Sequence, residues 1–175
     1  HRGFSVAVYE ASVIGAGTTG GSTGHLDAHP EIGCTELLSK LGEQHGCEYV
    51  QLRQAAIAAI EHRAADCCDF TRVPAYFYSE NGNDASSLRN DFDAAAKLGL
   101  HVSWCDKPPL PFATVGYQIN GMARMDCMAY LTRLTDLVIE AGGQIFENSM
   151  VKVSLDEHTR ELQAGDGTAK FDHVV

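Results

Sequence analysis

Gly15-Ala16-Gly17-Thr18-Thr19-Gly20 spells Gly-x-Gly-x-x-Gly. Where such glycines join a strand to a helix, backbone N–H groups come close to a pyrophosphate. A helix is not expected here, because Gly21, Gly24 and Pro30 interrupt a stretch almost without apolar side chains. The segment from Ala11 to Pro30 reads instead as a long loop rich in glycine and hydroxyls, including Thr18, Thr19, Ser22 and Thr23. Loops of that kind more often serve a site than a core. Just before it, Phe4-Ser5-Val6-Ala7-Val8-Tyr9 reads as a strand, and Glu10 closes it. A carboxylate at that strand end can accept hydrogen bonds from both hydroxyls of a nucleotide ribose. The phosphate-binding glycines proper are then expected about 20 residues before the acid, upstream of His1.

Other chemistries are weaker. His25 and His29 stand four apart, as on a zinc-binding helix, but Pro30 and the glycines oppose a helix there and no Glu follows His25. No metal is expected. Ser22 and Thr23 lack the Gly-x-Ser-x-Gly elbow of a hydrolase. The six cysteines form no Cys-x-x-Cys pair. They are expected to be reduced thiols packed as small apolar residues.

The elements that must position the loop follow from periodicity. The strand Phe4–Glu10 is expected to be buried and parallel. Apolar residues at three- and four-residue steps predict helices from about Thr35 to Ala65, divided near Gly42 and Gly46. Strands are expected at 69–73 and 75–79, with Pro74 at an edge or bulge. A helix over 88–98 should be closed by Gly99, and one over 127–141 capped by Asp126 and stopped by Gly142-Gly143. Short strands at 101–104, 117–119, 144–147, 150–153, 161–163 and 169–175 complete the set. The order predicts an α/β, doubly wound nucleotide-binding sheet interrupted by an α+β insertion. The expected parts are 1–65 and 126–175 for the nucleotide-binding domain and 66–125 for the inserted substrate domain.

With 13 basic and 23 acidic residues the net charge is −10, and no Lys/Arg cluster is present, which opposes nucleic-acid or anionic-lipid partners. Apolar residues at 45% and charged residues at 21% exclude disorder, and no apolar run is long enough for a membrane span. With no secretory signal, a cytoplasmic location is expected. Both ends read as interruptions of an α/β pattern, so the 175 residues are expected to be a piece of a longer protein.

Gly3-Phe4-Ser5-Val6-Ala7-Val8-Tyr9-Glu10, followed by Ile14-Gly15-Ala16-Gly17-Thr18-Thr19-Gly20-Gly21-Ser22-Thr23-Gly24-His25-Leu26, resembles the FAD-dependent oxidoreductases of the D-amino-acid oxidase/glycine oxidase superfamily. Cys68-Asp69-Phe70, Pro74 to Tyr78, Pro109 to Phe112 and Gly142 to Glu147 extend the likeness along essentially the whole chain. The resemblance implies a Rossmann-like FAD-binding fold. It implies that Glu10 holds the adenosine ribose and that Ala11 lies beside the adenine. Thr18, Thr19, Gly20, Ser22 and Thr23 would run along FAD, and the Val151 backbone would meet the adenine edge. It also implies oxidation of a small amine or amino acid by hydride transfer to the flavin. That activity belongs to the longer protein, and the electron acceptor stays open. No catalytic side chain is assigned. Tyr76, Tyr78, Tyr117 and Arg124 fall in the substrate region but are expected to be structural. The alternative is a degenerate flavoprotein acting as a binding module.

Overall fold

Phe4, Val6 and Val8 alternate with smaller residues along the expected first strand, yet all three side chains are exposed. In the computed structural model, which describes residues 3–64, 66–153, 160–165 and 167–175, this strand is β1, Ala7–Tyr9. It is parallel, as expected, but its one partner among the described residues is β6, Gln144–Phe146.

Contacts divide the chain into two compact units, His1–Thr23 with Cys127–Val175, and Gly24–Asp126. In the first, β1 and β6 accompany α3, Cys127–Glu140, which ends where Gly142 turns to positive φ. A three-stranded antiparallel sheet follows, made of β7 (Val151–Val153), β8 (Glu161–Ala164) and β9 (Gly167–Lys170). Tyr9 and Phe146, opposite one another in the parallel ladder, stack with ring centroids 5.0 Å apart.

The second unit is built on β5, Val115–Arg124. One edge of β5 pairs with β3, Thr71–Ser79, and the ladder shifts register between Val73 and Ala75, where Pro74 cannot donate. Its other edge takes β4, Val102–Cys105, and then β2, His25–Leu26. Helices α1, Cys34–Ala64, and α2, Ala85–Lys97, pack against each other. Gly42 breaks α1 with φ 71° and ψ 176°, so the expected division of the helix falls there. Gly46 is helical instead; a Cβ on it would meet Leu98 Cδ2 at 2.5 Å, so the glycine permits close packing. A Schellman motif ends α2, with Gly99 N–H bonded to Ala96 C=O and Leu100 N–H to Ala95 C=O.

Leu37, Val50 and Ile57 of α1 are buried in one core with Ala95 and Leu98 from α2 and its end, and with Tyr117 and Ile119 of β5. Burying that helical stripe ties residues 24–64 to the rest of the second unit, Gly24–Asp126. Cys67 and Cys68, in the turn after α1, form a disulfide between adjacent residues, against the expectation of six reduced thiols. Cys34, Cys47, Cys105 and Cys127 are free. Among the described residues no helix is long and apolar enough to cross a membrane.

Candidate functional site

In the first unit, Glu10 stands directly after β1, at the carboxyl end of the parallel pair, where α/β sheets bind ligands. Its backbone is fixed on both sides: Glu10 N–H bonds Phe146 C=O at 2.8 Å, and Glu10 C=O accepts from Ser149 N–H at 2.8 Å. One carboxylate oxygen accepts Ser12 N–H at 2.8 Å, turning the chain back on itself. Among the described residues, the other oxygen has no protein donor. Asn148 N–H reaches Ser12 C=O at 2.6 Å, and Glu147 accepts Ile14 N–H at 2.7 Å. The turn after β6 is thereby stitched to the turn after β1. Val151 begins β7 two residues after Ser149, so the structure brings its strand to the neighbourhood of Glu10 and the exposed Ala11.

The Gly-x-Gly-x-x-Gly segment forms a turn and a short 3-10 helix, Thr18–Gly21, not the start of an α-helix. Gly15 lies under α3, where a Cβ would meet Met128 Sδ at 2.5 Å. A Cβ on Gly20 would strike the Gly15 carbonyl oxygen. Gly17 and Gly21 face open space. Thr18, Thr19, Gly20, Ser22 and Thr23 are all exposed along this ribbon. Short hydroxyl side chains beside bare backbone, with an acceptor carboxylate at the strand end, are a donor set that fits the ribose and pyrophosphate of FAD.

The sequence profile of the FAD-dependent oxidoreductase family, abbreviated DAO, matches residues 1–175. The chain belongs to this family. FAD is the DAO family's cofactor, and the expected FAD-binding α/β fold is the one observed. A glycine oxidase from Geobacillus kaustophilus has the same fold, with a TM-score of 0.69 and 18% identity over 95% of this chain and 46% of that one. An L-proline dehydrogenase from P. horikoshii matches with a TM-score of 0.70 and 15% identity, over 97% of this chain and 45% of that one. A curated relative is the "Putative Rieske 2Fe-2S iron-sulfur protein YhfW" of Bacillus subtilis. It is 26% identical over 155 residues, which is 85% of this chain and 30% of the relative. This DAO chain therefore spans less than half the length of each.

The second unit holds a polar cluster that sequence reasoning did not assemble. His29, 8% exposed, places Nε2 3.0 Å from Asp91 Oδ2, and the Tyr117 hydroxyl donates to the same oxygen at 2.6 Å. Asp91 Oδ1 accepts Thr35 N–H at 2.9 Å, so a carboxylate from α2 caps the exposed amide end of α1. Burial alone would raise the Asp91 pKa, but the hydrogen bonds from His29, Tyr117 and Thr35 outweigh it and hold it well below the carboxylate range. Burial, then the bond to Asp91, pushes the Tyr117 hydroxyl upward. Cys34, fully buried at the start of α1, is raised to about 12 by burial and then by Asp91 and Asp27. Arg53 grips the Asp27 carbonyl oxygen through Nε and Nη2 at 3.0 and 2.7 Å.

His29, Thr35, Asp91 and Arg53 line an open cleft of ≈ 990 Å³, with Phe77 and Leu88 among its apolar walls. His25 also borders it, but lies in β2 opposite Arg124, so His25 and His29 do not share a helix. Tyr117 is a core residue, whereas Tyr78 is exposed beside Phe112 and Arg124 is exposed at the end of β5. The signal for the cluster was present as single residues. What was missing was the pairing of loop 27–34 with α2, separated by some sixty positions.

Proposed function

We propose that this chain is part of a flavin oxidoreductase that removes hydride from a carbon bearing nitrogen in a small amine or amino acid. The family match along residues 1–175 carries the reading. The glycine and L-proline in the names of two structural relatives support the substrate class. When bound, FAD supplies the electron-accepting chemistry, and the protein supplies orientation and electrostatics.

Glu10 would hold the adenosine ribose with the carboxylate oxygen that Ser12 leaves open. Ala11 is small enough to lie beside the adenine, and the Val151 backbone would meet its edge. The N–H groups and hydroxyls of Thr18, Thr19, Gly20, Ser22 and Thr23 would face the pyrophosphate and the chain leading to the flavin. None of these residues moves a proton in the reaction. An amine that arrives neutral needs no side-chain base to lose hydride. Cytoplasmic residence goes with this reading.

The test is anaerobic mixing of the full-length flavoprotein with glycine, L-proline and N-methylated amino acids. Bleaching of the flavin band by at least one of them is expected. Bleaching by 2-hydroxy acids alone would overturn the substrate class.

A second reading concerns the acceptor. The Bacillus subtilis relative carries a Rieske 2Fe-2S centre in its name, and this chain aligns with 30% of its length. An iron–sulfur centre outside this stretch is therefore proposed as the acceptor. Flanking sequence with the two Cys and two His that such a centre requires, and a reduced-cluster EPR signal after amine addition, are expected. Stoichiometric hydrogen peroxide with no cluster would point to oxygen instead.

A further inference from the structure

The Cys34 thiol is fully buried at the first residue of α1, yet makes no hydrogen bond among the described residues. Its Sγ, one ring nitrogen of His29 and one carboxylate oxygen of Asp91 all lie within 4.8 Å of one another. These three residues come from three separate places: the loop after β2, the start of α1 and the body of α2. We propose that His29, Cys34 and Asp91 form a three-ligand site for a divalent transition metal of the zinc type, open toward the cleft.

The donor set is one thiolate, one imidazole and one carboxylate, the nitrogen, sulfur and oxygen ligands that Zn²⁺ takes in tetrahedral sites. Two anionic ligands balance a dication, so the loaded site is neutral, as burial demands. Three protein ligands leave a fourth position, and His29 and Asp91 both border the cleft from which water or a small ligand would enter. The ligands are already held by outer partners. Asp91 Oδ1 is fixed by Thr35 N–H at 2.9 Å and Thr35 Oγ1 at 3.3 Å, and Oδ2 takes the Tyr117 hydroxyl. The His29 ring packs on Phe77 with centroids 4.1 Å apart. Such outer contacts orient metal ligands. On loading, the Cys34 thiol proton goes to solvent, His29 presents unprotonated Nε2, and the ion takes the place of the hydrogen bond between His29 and Asp91. The pairing is not the His25–His29 spacing visible in the sequence; it joins His29 to residues near and far.

This inference stands on the second unit alone and does not depend on flavin. The full-length protein, treated with chelator and then given Zn²⁺ alone, should retain one Zn²⁺ per chain after dialysis. X-ray absorption at the zinc edge should show one sulfur among nitrogen and oxygen scatterers. Cys34→Ser should abolish retention, whereas Cys47→Ser should not. Tyr117→Phe should weaken affinity by roughly 10-fold, as loss of an outer partner does. No retained zinc, zinc without a sulfur neighbour, or equal retention by Cys34→Ser would each overturn the site. Should Cys34→Ser fail to fold by circular dichroism, the wild-type absorption spectrum decides by itself.

Discussion

The Tyr117 hydroxyl donates to Asp91 Oδ2 at 2.6 Å and lies 3.2 Å from His29 Nε2. A residue of the central strand thus reaches through the core to the carboxylate that caps α1. Tyr117 is 0% exposed, so its hydroxyl has no access to water as an alternative partner. The same carboxylate ties together a strand, a helix end and a loop, which makes it a joint of the second unit.

Tyr117→Phe leaves the aromatic packing on Phe77 and Phe92 in place and removes only the donor. It should destabilise the protein by about 1–3 kcal/mol, the cost of leaving a buried polar partner less satisfied. Urea melts of the metal-free wild type and variant, with unchanged slope, measure it.

Stability should fall in acid through Asp91. Its folded pKa lies below the unfolded value of roughly 3.9. The unfolded chain therefore takes up this proton first as pH drops. The contribution is fully present above the unfolded pKa, and is lost progressively from about pH 5 downward until the folded pKa is passed. Asp91→Asn should be less stable at neutral pH and show a flatter acid limb. Unfolding free energies between pH 7 and pH 3 check both slopes, and parallel limbs would sink the assignment.

Gly116 lies in β5 beside β3, where an added Cβ would strike the Phe77 carbonyl oxygen and sit 3.0 Å from the Tyr78 Cα. These β3 backbone atoms cannot rotate away as a side chain would. Gly116→Ala should cost about 1–3 kcal/mol. Gly17→Ala, with nothing near its Cβ, should stay within roughly 0.5 kcal/mol. Thermal melts of the two variants side by side give the comparison.

Glu10→Ala should weaken FAD binding by roughly 10- to 100-fold, since hydrogen bonds to a charged acceptor are worth about 1.5–3 kcal/mol. Glu10→Gln, which keeps one acceptor oxygen, should lose less. Flavin fluorescence titration of the apoprotein reads both constants. Equal affinities in all three proteins would move the ribose away from Glu10.

Local physics carried much of the secondary structure. Gly99 after a helical stripe, Pro74 inside a strand and Gly42 inside α1 are each read correctly because φ, ψ and N–H restrictions act at single residues. Gly46 was misread because the same residue type serves another purpose there. Only the neighbour, Leu98, reveals that the glycine permits close approach.

What the sequence determined alone is the chemical text of the loop: a strand ending in Glu10, then a ribbon of glycine, threonine and serine, and with it the family resemblance. These are contiguous, so their spacing is visible without a fold. What only the tertiary structure decided is which distant residues meet. Asp91 lies 62 positions from His29 and 26 from Tyr117, yet all three share hydrogen bonds. Nothing in either local stretch encodes the other; burying the apolar faces of α1, α2 and β5 in one core is what brings their polar residues together.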